Sequence, residues 1–221
     1  MTETLAGLDP STKPGLAIIQ DGKVVHAAGY AIGGKGWPRG RVNKSYRDWL
    51  RASLLAHGVD AIAVEMPIPM GNIPGNADTH SQASYFWECA QEVTFSLNIE
   101  LVGVAIQSWR SFFLGTSVAP KAPKPPEHIL ATRQKEWQSA WRRKWWKQKA
   151  IDTCAKHGII VKSDDAAEAI GIGFYLHGQR NPFMWNKAND LFALEHSRSE
   201  APVGTLSLKS EAEKVFSRLQ D

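Results

Sequence analysis

The sequence predicts an α/β domain built on a mixed sheet, with antiparallel strands opening it, parallel strands completing it and helices flanking it. Two observations carry that expectation. An Asp21-Gly22 pair joins two apolar runs near the N-terminus, a strong hairpin signal. Behind it, strand-like and helix-like periodicities alternate, the order expected of strands connected through helices. The chain has 221 residues, enough for one domain or one domain with an appendage, and 43% hydrophobic residues, enough for a core.

The elements follow in order. Leu5 to Asp9, Gly15 to Gln20 and Lys23 to Tyr30 read as three strands. Asn43 to His57 places Tyr46, Trp49, Leu50 and Leu54 at helical spacing, and Gly58 stops it. "DAIAVE", Asp60 to Glu65, is a short buried strand, and "MPIPMGNIPGNADTH", 66 to 80, is too rich in Pro and Gly for anything but a loop. Ser81 to Leu97 is a helix and Glu100 to Ile106 a strand. A Pro/Lys linker, "APKAPKPPE", leads to a long helix, His128 to His157. After the short apolar segment "IIV" comes the last well-marked helix, Asp165 to His177. The main domain thus spans 1–177, with 178–221 a C-terminal extension whose segment Leu206 to Leu219 has an amphipathic pattern.

Composition narrows the function classes. No apolar run approaches the roughly 18 residues of a membrane span. The N-terminus has neither a basic n-region nor an apolar h-region, so a cytoplasmic protein is expected. Cys89 and Cys154 lack any CxxC partner, which fits buried reduced thiols better than zinc or disulfides. Net charge is +4, but residues 101–150 hold ten Lys or Arg against Glu127 and Glu136, an excess of +8 that leaves −4 for the rest. A basic segment of that kind suits a polyanion such as nucleic acid, or a plain solvated face.

Four acids end or begin elements: Asp9 in the first strand, as its last residue, Glu65 at the end of the fourth, and Asp165 with Glu168 one helical turn apart at the start of the last helix. Each has an ordinary reading of its own. Asp9 before Pro-Ser-Thr can initiate a turn. Asp165-Ala-Ala-Glu168 has the spacing of a capping box. Glu65, closing an apolar run, is costly to bury without a partner. Together, three segments delivering acids to element ends point to a site for hard divalent cations, which take oxygen ligands. Two such ions hydrolyse phosphodiesters without a Ser, His or Cys nucleophile.

"GLDPSTKPGLAII", "AIAVEMPI" and "DDAAEAIGIG" resemble, in order and separation, the acidic motifs of RuvC-like Holliday junction resolvases of the RNase H-like superfamily. "NADTHSQAS" is similar to the stretch opening that family's long helix. The phage-type members, with "SWRSFFLG" before a basic helix, look closest. The resemblance spans about 5–177 and implies an RNase H-like mixed sheet. It also implies a homodimer that nicks four-way DNA junctions symmetrically, using two magnesium ions per site with manganese able to substitute. Asp9 is then the bridging ligand, Glu65 completes one coordination sphere, and Asp165 and Glu168 supply the other. Glu168 stands where the family more often has Asp, and Asp164 leaves the register of that motif open. The setting implied is the cytoplasm of a bacterial cell or a phage-infected host.

Phosphate contacts are expected from Arg110 in "SWRSFFLG" and from Arg142, Arg143, Lys144, Lys147 and Lys149 on the basic helix, and from Lys35, Arg39 and Arg41 in "GGKGWPRGR". Lys13, with Ser11 and Thr12, falls near the scissile phosphate. Trp137, Trp141 and Trp145 form a stripe at four-residue spacing, suited to core or dimer packing. Trp146, off that stripe, is the tryptophan expected to touch DNA. By the resemblance, Met70 or Ile73 in the loop after Glu65 reaches the junction centre. Two other classes compete: a flap or general branched-DNA nuclease, and a DNA-binding module without catalysis. The Gly-Leu-Asp-Pro-Ser-Thr opening also fits an actin-like ATPase, which needs a second half that 221 residues hardly accommodate.

Overall fold

The computed structural model describes residues 3–34, 36–68, 77–127 and 129–181, with side chains left aside at 77–80. Five strands form one sheet in the order β3-β2-β1-β4-β5: β1 Thr4–Asp9, β2 Gly15–Gln20, β3 Lys23–Gly29, β4 Ala61–Glu65 and β5 Glu100–Val104. The first two neighbours, β1/β2 and β2/β3, are antiparallel, and β1/β4 and β4/β5 are parallel. Asp21 and Gly22 take φ of 50° and 72°, the left-handed pair that a tight hairpin turn between twisted strands requires.

Helices cover both faces. α1 (Arg39–His57) and α2 (Ala77–Leu97) pack on one side, and α4 (Gln134–Lys156) and α5 (Asp164–Arg180) on the other. Strand alternation sorts the side chains between them. Ala6, Leu8, Leu16, Ile18, Ile62 and Val64 meet Tyr46, Trp49, Leu50, Phe86 and Val93 of α1 and α2. Leu5, Ala17, Ile19, Ala61 and Ala63 meet Ala169, Ile170 and Phe174 of α5 with Trp146 and Ala150 of α4. By the same parity Asp9 and Glu65 belong to the α5 side.

That side is built for close approach. A Cβ at Gly7 would lie 2.1 Å from the Ala169 carbonyl oxygen, and one at Gly15 would lie 1.8 Å from that of Asp165. The α5 backbone therefore rests directly on β1 and β2. At its far end Arg180 pairs with Glu3 and, at 2.6 Å, with Glu100.

Several boundaries differ from the sequence expectation. α1 starts four residues early because Pro38 fixes an extended N-cap (φ −64°, ψ 146°). α2 begins at Ala77 rather than Ser81, and β3 ends at Gly29 rather than Tyr30. β5 ends at Val104, since Ile106 opens a short helix, α3 (Ile106–Trp109), that widens into a π-type turn, Arg110–Leu114. The basic helix enters through a 3₁₀ turn, Ala131–Arg133, before α4. α5 runs through Arg180, past the expected boundary at 177, and 182–221 lie outside the described residues.

The tryptophan expectation is corrected. Trp146, not the 137/141/145 stripe, enters the core at 9% exposure, because α4 buries the face made by Trp146, Ala150, Thr153 and Cys154. Trp145 packs partly against that core, while Trp137 and Trp141 stay half-buried on the outer part of the helix. Both cysteines are free and buried. Among the described residues no helix is long and apolar enough to cross a membrane.

Candidate active site

Asp9 and Glu65 stand at the C-terminal ends of adjoining parallel strands, one step beyond the paired residues Leu8 and Val64. Asp165 and Glu168 lie in the first turns of α5, brought to the same place by the contact between Gly15 and the Asp165 carbonyl. The turn and cap readings do not hold. Ser11, not Asp9, accepts from a turn amide, that of Lys13, at 3.0 Å. Ser163, not Asp165, is the N-cap of α5, its hydroxyl accepting from the Ala166 amide at 3.2 Å. Among the described residues, then, Ser11 and Ser163 make the turn and cap bonds that the sequence could have assigned to Asp9 and Asp165.

The four carboxyls perturb one another. Burial, with Glu168, Glu65 and Asp165 nearby, holds Asp9 well above the ordinary carboxylate range. Burial and the Glu65 charge push Glu168 up to about 7, against the pull of Arg110 and Lys147. Burial also raises Glu65, opposed by a hydrogen bond from Trp109 and by Arg110, and raises Asp165, helped by Asp164 and opposed by Lys147 and Lys13. Asp164 goes the other way: burial would raise it, but the Lys147 ammonium and backbone amides hold it low. Asp164 is therefore the partner of Lys147 rather than a fifth member of the cluster.

Protein donors engage Glu65, Glu168 and Asp165 separately. Trp109 Nε1 donates to Glu65 Oε2 at 2.7 Å, Arg110 approaches Glu168 at 3.7 Å, and Lys147 pairs with Asp164 and lies 3.8 Å from Asp165. In this arrangement no group of three or more His, Cys, Asp or Glu among the described residues is placed to hold a metal ion. The donor set nevertheless has the chemistry of a divalent-cation site. It offers only hard carboxylate oxygens, crowded until their protons are hard to lose, and cations already attend it.

Above the acids opens a cleft of about 530 Å³. Asp9, Asp165 and Glu168 line it on one side and Ser139, Arg142, Arg143, Trp146 and Lys147 of α4 on the other, with Ser11, Ile68 and Arg110 completing the rim. Glu65 lies behind this lining. Arg110 is packed with its guanidinium 4.4 Å from the Trp146 ring centroid, and its Nε finds no hydrogen-bond partner among the described residues. Trp146 therefore supports Arg110 from below while still bordering the cleft.

The other expected DNA contacts are spread more widely. Lys144 and Lys149 lie on α4 outside the cleft lining. Arg39 donates to Ser81 at 2.5 Å, and Arg41 stacks 3.9 Å over the Trp37 ring, so both already have protein partners. Lys13 is exposed, near enough to Asp165 to be felt by it. Lys35, Met70 and Ile73 lie outside the described residues. Sequence reasoning missed Trp109. The signal available was the cost of burying Glu65, which demanded a donor somewhere in the chain.

A mixed sheet in the order 3-2-1-4-5, with acids at the ends of its central parallel strands and a third acidic motif on the helix crossing it, is an RNase H-like fold. Its fold is similar to that of solved RuvC structures. No family model and no curated protein sequence matches the chain. Solved structures do. The structure of Thermus thermophilus RuvC shares 12% identity, with a TM-score of 0.54, over 81% of this chain and 96% of that one. The T. thermophilus RuvC in complex with Holliday junction substrate shares 10% identity, with a TM-score of 0.56, over 80% and 95%.

Proposed function

We propose that the protein is a magnesium-dependent endodeoxyribonuclease that resolves four-way DNA junctions by hydrolysing phosphodiesters. The observation that carries this reading is the cleft itself: Asp9, Asp165 and Glu168 on one side, with Glu65 close enough to repel Asp9 and Glu168, and the basic face of α4 on the other. The fold shared with RuvC, solved elsewhere with Holliday junction substrate, supports the choice of DNA substrate.

Asp9, Glu65, Asp165 and Glu168 would hold two divalent ions. When bound, such ions activate water and stabilise the departing oxygen of a phosphodiester. Arg142, Arg143 and Lys147 hold the phosphate backbone against the acids, giving position and affinity without reading sequence. Arg110, braced by Trp146, has donors to spare for a phosphate oxygen at the rim. Cleavage of two opposed strands calls for two such clefts, so the working form is a homodimer in the cytoplasm of a bacterial or phage-infected cell.

The test is magnesium-dependent digestion of a four-way junction, a flap, a duplex and a single strand side by side. Paired symmetric nicks confined to the junction are expected. Equal cleavage of flap and junction would replace this reading with a general branched-DNA nuclease, and binding without cleavage would leave a DNA-binding module.

A further inference from the structure

Trp109 ends α3, is fully buried, and gives its indole N–H to Glu65 across 44 positions of sequence, at 2.7 Å. Apolar packing alone does not ask for that bond, since a phenyl ring fills much of the same space without a donor. The surroundings hold the indole in place. A Cβ on Gly171 of α5 would come within 3.0 Å of two Trp109 ring atoms and 2.7 Å of Phe113, so α5 leaves a notch where the ring enters. The next residue, Arg110, starts the π-type turn and reaches Glu168. Wide turns of this kind often mark functional positions. Neighbouring residues on one turn thus hold one acid from the sheet and one from α5.

We propose that Trp109 is a positioning residue for the metal site. It occupies one oxygen of Glu65, fixes the plane of the carboxylate, and leaves the other oxygen for a divalent cation. This inference rests on the nuclease reading above. Partners that orient a metal-ligating side chain typically change metal affinity by about 10–100-fold when removed.

The experiment measures Mn²⁺ binding to the full chain without DNA, by the electron paramagnetic resonance signal of free Mn²⁺, for wild type, Trp109→Phe, Glu65→Gln and the double variant. Trp109→Phe is expected to weaken Mn²⁺ binding by about tenfold, and the double variant to bind no more weakly than Glu65→Gln alone, because the two act through one carboxylate. Junction affinity in EDTA is expected to be unchanged, since Trp109 is buried. A wild type that binds no Mn²⁺ would remove the nuclease reading and this inference with it. A wild type that binds, with Trp109→Phe binding equally well or its loss adding to that of Glu65→Gln, would overturn this inference alone. Should Trp109→Phe fail to fold, ¹⁵N-indole NMR of the wild type decides. One indole N–H resonance is expected far downfield, moving on Mg²⁺ addition and moving upfield in Glu65→Gln; no indole responding to both would overturn the proposal.

Discussion

Replacing Glu168 by Gln should stabilise the metal-free protein while destroying its function. The Glu168 carboxyl is 14% exposed and is moved from an ordinary 4.5 to about 7, even with Arg110 and Lys147 beside it. At about 1.4 kcal/mol per tenfold change in proton affinity, the ionised form costs the fold about 3 kcal/mol. A group raised in the folded state favours folding fully only below its unfolded value, and that contribution disappears as pH climbs through about 7. At pH 8 in EDTA the wild type carries the whole penalty. Gln carries none of it, and it also relieves Asp9 of a repelling neighbour. Allowing for relaxation of Arg110, a gain of about 1–3 kcal/mol is expected, or about 2–12 °C in melting temperature for a domain of this size. Thermal melts in EDTA at pH 8 and pH 5 test this, with the gain falling towards zero at pH 5, where the glutamic acid is protonated. A variant no more stable than wild type at pH 8, or a gain undiminished at pH 5, would refute the reasoning. Adding Mg²⁺ at pH 8 should then stabilise the wild type more than the variant.

Further outcomes are expected. Asp9→Asn and Glu65→Gln should each abolish junction cleavage in Mg²⁺ while gel-shift affinity in EDTA stays within a few-fold of wild type. The double change Arg142→Ala with Arg143→Ala should weaken junction binding and lower the slope of log affinity against log salt by about 2, read from a salt titration, because each is expected to meet one phosphate. Gly15→Ala should cost about 1–3 kcal/mol or more in chemical denaturation and lower cleavage with it, since its Cβ would fall 1.8 Å from the Asp165 carbonyl oxygen and push α5 off the sheet. As pH falls below 6.5 His26 and His57 should oppose the gain from Glu168, because burial, and for His26 the neighbouring His57, lowers the proton affinity of both imidazoles. In melts between pH 7 and pH 5, His57→Gln should therefore gain stability relative to wild type as pH falls, and a difference that does not change with pH would refute this.

What was legible in the sequence was whatever depends on period and position. Strand alternation assigns Asp9 and Glu65 to one side once the apolar residues before them are placed, and i,i+3 spacing puts Asp165 and Glu168 together on a helix. The hairpin at Asp21-Gly22 and the parallel step from β1 to β4 follow from equally local signals. Contacts made at long range were hidden. Nothing near Glu65 in sequence announces Trp109, and nothing near Trp146 says that α4 turns that ring, rather than Trp137 or Trp141, towards the core. Ser163 shows why the capping-box alternative fails: its hydroxyl caps α5 two residues before Asp165, accepting from the Ala166 amide, so the helix starts earlier than a box from Asp165 to Glu168 requires. Arg110 looked like any cation bound for DNA, and only the fold shows it wedged between an indole and an acid.

The contact of α5 with β1 and β2 through Gly7 and Gly15 is main chain against main chain. The distance from the strand acids to the helix acids is therefore set by two backbones touching, with no intervening side chain whose size could alter it. Such a site resembles a caliper closed on its stop. Side-chain changes elsewhere in the core leave that gap constant, which is compatible with a shared fold at 10–12% identity to its solved structural neighbours.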